Sequence, residues 1–228
     1  MRQLMLVVGG VVAGVVAVLA VAALVLGDDE DAAPTEGIEL SFPAIEHDDE
    51  AAEALVVAWH RWRTATFVTI GTWTRTLDGD EDPLTGDSFL AQDPPRRVVV
   101  RLGAVIESID GSTVTCDDPT EPVIVPGCTE VAGGSSYGER LRTEMSLVLN
   151  YARGDDRLYD VATADGCFQV ALREAALRSP WGRAAEFCFD DETGALASSR
   201  VRRQSAIDTE ITSVIRTEVT DDDFGLTE

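Results

Sequence analysis

Leu4 to Leu26 is an unbroken run of 23 residues built only from Ala, Val, Leu, Met and Gly. No other feature restricts the chain so tightly, because a segment of this kind has to leave water. As a helix rising about 1.5 Å per residue it reaches about 35 Å, enough to cross a hydrocarbon core of about 30 Å. Gly27-Asp28-Asp29-Glu30-Asp31 follows at once, and those carboxylates end what lipid can hold. Arg2 precedes the run and no further Arg occurs until Arg61. Positive flanks favour the cytoplasmic side, so the N-terminus is expected inside the cell and everything after Gly27 outside it.

A cleaved secretory signal is the competing reading. Ala20-Val21-Ala22 satisfies a small-residue cleavage rule, although the run exceeds the usual apolar core of such a signal. Both readings deliver the body of the protein to the same compartment. No Cys stands near the end of the run, so a lipid-modified N-terminus is not expected. The expected organisation is a membrane anchor over 1–27, an acidic flexible stalk over 28–47 holding Pro34 and Pro43, and one extracytoplasmic domain over 48–228.

The cysteines point to the same compartment by a separate route. Cys116, Cys128, Cys167 and Cys188 include no Cys-x-x-Cys pair, and His47 and His60 are not spaced as zinc partners. An even count outside the cytoplasm reads as two disulfides. Three pairings are open. The local one, Cys116–Cys128 with Cys167–Cys188, is the one expected: it closes two short loops and would constrain the unfolded chain by about 3 kcal/mol per bridge. Four buried thiols is the alternative.

Charge excludes some partners. The net charge is −23, which repels nucleic acid and anionic membrane surfaces. All 18 basic residues are Arg.

Local patterning then gives the elements. A helix is expected from Asp48, capped by Asp48 or Asp49, with Glu50 and Glu53 in its first turn and Arg61 and Arg63 in its last. Leu55, Trp59 and Trp62 fall at helical spacing, which reads as core before it reads as a ligand platform. Residues 64–77 alternate Thr with β-branched and aromatic side chains and predict a long strand. Residues 78–95 read as a loop. Strands are expected over 96–102, 105–109 and 112–116, with Asp110-Gly111 turning the last two. A helix over 139–152 precedes five more strands at 158–163, 168–172, 185–189, 196–203 and 207–219, with Asp191-Glu192-Thr193-Gly194 as a turn. Eight or nine antiparallel strands with two helices make an α+β domain. A sheet of that length twists into a curled half-barrel with helices on its concave face.

The order of anchor, acidic stalk, helix and Thr/aromatic strand, then Gly166-Cys167, Phe187-Cys188-Phe189-Asp190, Glu192-Thr193-Gly194 and Val219-Thr220-Asp221-Asp222-Asp223-Phe224, resembles actinobacterial envelope proteins of the LolA-like type, relatives of LppX and LprG. The likeness spans roughly residues 50–225. It implies a half-barrel holding a lipid or a lipoprotein acyl chain between sheet and helices. Phe67, Trp73, Val100, Leu102, Met145 and Val148 are the residues nominated for that ligand's wall. Unlike the mycobacterial members this chain has no lipobox Cys, and a tethered domain cannot shuttle freely.

Catalytic readings find no support in the residues. His60 is the domain's sole imidazole, and Ser135 and Ser136 lack a nearby base. Asp78-Gly79-Asp80-Glu81-Asp82-Pro83 begins like a calcium loop, but Pro83 stands where that loop needs Gly and Phe89 where it needs Glu. Gly133-Gly134-Ser135-Ser136-Tyr137-Gly138 lacks the Lys of a phosphate-binding loop. A non-enzyme with no cofactor and no metal is expected. It binds either an apolar ligand or, with a filled core, an envelope protein partner.

Overall fold

The computed structural model describes residues 44–79, 82–101, 104–109, 112–116, 128–132, 134–173 and 179–224, with side chains described outside 102–133. The anchor expected over 4–26 and nearly all of the stalk lie outside these residues. None of the described helices is long and apolar enough to cross a membrane.

Eleven strands form one sheet in the order β6-β5-β4-β3-β2-β1-β11-β10-β9-β8-β7, and every neighbouring pair runs antiparallel. Helix α1 (Asp49–Thr64) leads into β1 (Phe67–Leu77), β2 (Leu84–Asp93), β3 (Arg96–Arg101), β4 (Ala104–Ile109), β5 (Ser112–Cys116) and β6 (Cys128–Ala132). Helix α2 (Tyr137–Ala152) then carries the chain to β7 (Tyr159–Ala164) at the opposite edge. The second meander, β8 (Cys167–Leu172), β9 (Ala184–Phe189), β10 (Leu196–Arg202) and β11 (Ala206–Arg216), returns to pair with β1. A flat sheet of this width would set its edges about 48 Å apart, whereas α2 is about 24 Å long. Curling shortens that crossing. The α+β class and the curled antiparallel sheet with two helices are as expected.

Two strands were missed from the sequence. Leu84–Asp93 was read as loop because Pro83, Gly86 and Asp87 interrupt its pattern; it is a strand because β1 and β3 satisfy its backbone on both sides. Cys128–Ala132 likewise exists as the partner of β5.

Asp48 caps α1 by accepting from Glu50 N and Ala51 N, and a capping box between Ser136 and Glu139 starts α2. The turn from β9 to β10 is held by Asp190, whose Oδ1 accepts from Thr193 N at 2.7 Å and Thr193 Oγ1 at 2.6 Å. Arg61 donates to the carbonyls of Asp191 and Glu192 at 2.7 and 2.6 Å, docking that turn on α1. Gly71 lies beside the irregularity where β1 meets β11. A Cβ there would stand 2.2 Å from Ile211 O, so the backbones approach to a distance only glycine permits.

Both helices pack on the β7–β9 side. Ala51, Ala52 and Leu55 of α1, Val148 and Ala152 of α2, and Tyr159, Val161, Val170, Trp181, Ala185 and Phe187 make the main core. On the other face of the sheet, Phe224 in the short 3-10 turn Asp221–Phe224 covers Val68, Ala91 and Val98.

Candidate functional site

The interface between the helices and the sheet is occupied by rings. Trp59 lies 5.1 Å from Trp62, 5.3 Å from Trp181 and 5.3 Å from Phe187, centroid to centroid. Tyr159 stacks at 5.1 Å from Trp181, donates to Gly182 O at 3.0 Å and accepts from Trp181 N at 3.1 Å. Burial pushes the Tyr159 phenol up to about 12 despite that backbone donor. Helical spacing of Trp59 and Trp62 therefore marks core, as expected.

Beyond this aromatic block the same sheet face turns polar. Pairing across β1, β2, β3 and β11 places Gln92, Ser88, Arg97, Arg101, Glu210 and Asp208 on the face that carries Phe67 and Trp73. Asp208, 8% exposed, is gripped by Arg75 Nε at 2.6 Å, Arg75 Nη2 at 3.0 Å and Arg203 Nε at 2.9 Å. Desolvation works to raise its pKa, but the hydrogen bonds from the two arginines outweigh it and hold the carboxyl below its usual range. Arg75 also sits 5.1 Å above the Trp73 ring. Glu210 bonds Ser88 Oγ and Arg101, and that last pair bridges β3 to β11 over two intervening strands. Nearer the helices, Glu144 of α2 accepts from Trp59 Nε1 at 2.9 Å and from Arg63 Nε at 3.0 Å, while Tyr137 donates to Arg63 O.

The residues nominated for an apolar ligand do not share one wall. Phe67 packs with Leu90, Ala195 and Trp62, and Val148 belongs to the main core. Trp73 is buried under Arg75, and Met145 is half-buried on α2. Val100 faces the opposite side of the sheet with Val68 and Phe224, because alternation along β3 sends Val98 and Val100 away from Val99 and Arg97. Leu102 lies outside the described residues. Two surface grooves have substantial volume. One, about 590 Å³, is lined by Glu46, His47, Asp49, Asp155, Arg157 and Asp160 among others; the other, about 440 Å³, by Asp190, Glu192, Arg216 and Glu218 among others. Neither is an apolar hollow.

Cys167 and Cys188 form a disulfide joining β8 to β9. Backbone register sets Cys116 opposite Cys128, with both side chains outside the described ones. Among the described residues one grouping has metal-ligand spacing, Cys167, Glu186 and Cys188, and its two sulfurs are bonded to each other. His60 is exposed on α1, and Asp78 of the acidic loop pairs with Arg202 at 3.0 Å. The inward-facing Arg97 and Gln92 were missed. Their signal was an Arg at an apolar-facing position of a Val-rich strand, and a Gln inside a segment read as loop.

No protein-family model matches the chain, and no curated protein matches it. Among solved structures, a LolA superfamily protein from Nitrosomonas europaea is 8% identical at TM-score 0.35, over 75% of this chain and 96% of that one. MucB in complex with MucA(peri) is 14% identical at TM-score 0.36, over 76% of this chain and 58% of that one. A DUF1329 family protein from Desulfovibrio piger is 10% identical at TM-score 0.30, over 77% of this chain and 96% of that one. At such identities and scores these likenesses assign neither a family nor a ligand.

Proposed function

We propose that this chain is a membrane-tethered, extracytoplasmic and non-catalytic module that acts through a protein partner rather than by enclosing an acyl chain. The observation that carries this reading is the filled interface between helices and sheet, where Trp59, Trp62, Trp181, Tyr159 and Phe187 occupy the space an apolar ligand would need. The polar face formed by Arg75, Asp208, Ser88 and Glu210 is a further poor match for hydrocarbon. The apolar run over 4–26 and the Cys167–Cys188 disulfide support the tether and the compartment.

The outer sheet face offers a contact surface of the right kind. Ile70, Val214 and Ile211 are 43%, 46% and 58% exposed and adjoin each other across β1 and β11, where Ile70 pairs with Val214 and Thr72 with Ile211. Contiguous apolar surface on a soluble face is characteristic of protein contact. Two measurements on the full chain from its own membranes test the reading. A photo-crosslinking residue at position 214 yields a discrete protein adduct that Ile211→Glu abolishes while the melting temperature stays within a degree or two. Native mass spectrometry finds no lipid in stoichiometric amount. Bound lipid at one per chain would overturn the reading and restore the acyl-chain binding that the LolA-like resemblance implies.

A further inference from the structure

Among the described residues, the inner face of β2 and β3 holds an unbalanced positive charge. Gln92, 0% exposed, donates through Nε2 to Trp62 O at 2.7 Å and Ala65 O at 2.8 Å. Those two bonds fix the orientation of its amide and leave Oε1 buried with no donor. Arg97 stands opposite Gln92 in register. Its Nε is sealed from solvent without an acceptor, and its guanidinium lies 5.5 Å from the centroid of the Trp62 ring. The Arg63 guanidinium lies at the same distance from that ring. Arg63 Nη1 and Trp62 Nε1 are buried and unpaired as well.

Glu144 is the carboxylate at hand, and it is already shared between Arg63 and Trp59. Among the described residues, two guanidiniums therefore face one carboxylate. Three buried donors and one buried acceptor go unanswered within one contiguous cluster. Native interiors leave few such groups unpaired, and an uncompensated buried charge is more costly than an unpaired neutral group. Water would answer the hydrogen bonds but not the charge. Burial, and Arg63 after it, lowers Arg97 to about 9, which still leaves it protonated at neutral pH.

We propose that Trp62, Arg63, Gln92 and Arg97 form a recessed site for a small oxyanion, a phosphate or a carboxylate. The planar guanidinium offers paired N–H groups to two oxygens of either anion, and the Trp62 indole adds a third donor direction. Gln92 Oε1 accepts from a protonated oxygen of hydrogen phosphate, or from a water held by a carboxylate. Arg97 as a whole is partly accessible, so the cluster has an edge on solvent although its four unanswered atoms are sealed. It does not depend on the protein-partner reading.

The test titrates the full chain in neutral detergent with sodium phosphate and, separately, with sodium acetate, sodium chloride keeping the ionic strength constant. Tryptophan fluorescence and the melting temperature are followed. A saturable response to one salt or both is expected, and the responding salt names the ligand class. Arg97→Gln weakens that affinity at least tenfold. Trp62→Phe, which keeps the ring and removes one N–H, weakens it several-fold and serves if Arg97→Gln does not fold. Arg96→Gln, on the opposite face beside Asp221, titrates like the wild type. Only a non-saturating response to both salts, or an unchanged affinity in Arg97→Gln and Trp62→Phe, would overturn the site.

Discussion

At the scale of single residues, the polar half of the inner face depends on which charges lose solvent. Asp208 is nearly enclosed, while the Arg75 and Arg203 side chains that grip it remain 41% and 45% exposed. Solvent at the arginine end discounts the ion pairs, so Asp208→Asn is expected to cost only about 1–2 kcal/mol. The pH dependence separates this cost from a packing defect. A carboxyl held below its unfolded value contributes stability that is present above about pH 4 and lost as pH falls further. Wild-type stability therefore declines below pH 4, and Asp208→Asn declines less steeply over the same range. Urea melts at several acidic pH values check this; parallel curves would count against the network. The sequence announced none of it, because Asp208 and Arg75 lie 133 residues apart. Strand alternation sets Arg97 and Arg101 on one face of β3, but which face meets the helices depends on partners distant in the chain.

Secondary elements were legible where local chemistry defines them. The Asp48 cap, the Thr-rich β1 and the Asp191–Gly194 turn all read correctly, since each is fixed within a few residues of chain; the Ser136 capping box, equally local, was passed over, and α2 starts two residues before the expected 139. Strands β2 and β6 were lost for the converse reason: partners make them strands. Tyr159 illustrates how elements are then joined. Its hydroxyl, at the start of β7, ties down both Trp181 N and Gly182 O in the connection between β8 and β9. Tyr159→Phe keeps the ring packing against Trp181 but strands a buried donor and a buried acceptor, for an expected loss of about 2–3 kcal/mol. The phenol's raised pKa adds an alkaline signature. Its contribution is complete below about pH 10 and is lost as pH rises through about 12. Thermal unfolding of the variant between pH 7 and pH 11 tests both statements; an alkaline slope equal to that of the wild type would refute the second.

Across the whole molecule, β1 and β11 join two meanders that are each local in sequence, and Ser213 Oγ reaches Ile70 O across 143 residues. The class of the fold was legible because hairpins repeat along the chain. The filled interior was not, because it depends on α1 and α2 meeting Trp181 and Phe187 from distant segments. Each meander also carries a cysteine pair: Cys167–Cys188 clasps β8 to β9, and Cys116 faces Cys128 across β5 and β6. The Cys167–Cys188 bridge closes a separation of 21 residues, which limits the unfolded chain by about 3 kcal/mol. For a domain of this size that corresponds to a melting temperature about 10 °C lower in the Cys167→Ser/Cys188→Ser double variant. Adding reductant to the wild type should lower melting at least as far. Any excess over the double variant would report a second bridge, between Cys116 and Cys128, so the same calorimetric experiment tests the expected local pairing as well. A double variant that melts with the oxidised wild type would mean that the β8–β9 pairing and the aromatic core beneath it already fix that meander, leaving the covalent link no unfolded-state entropy to remove.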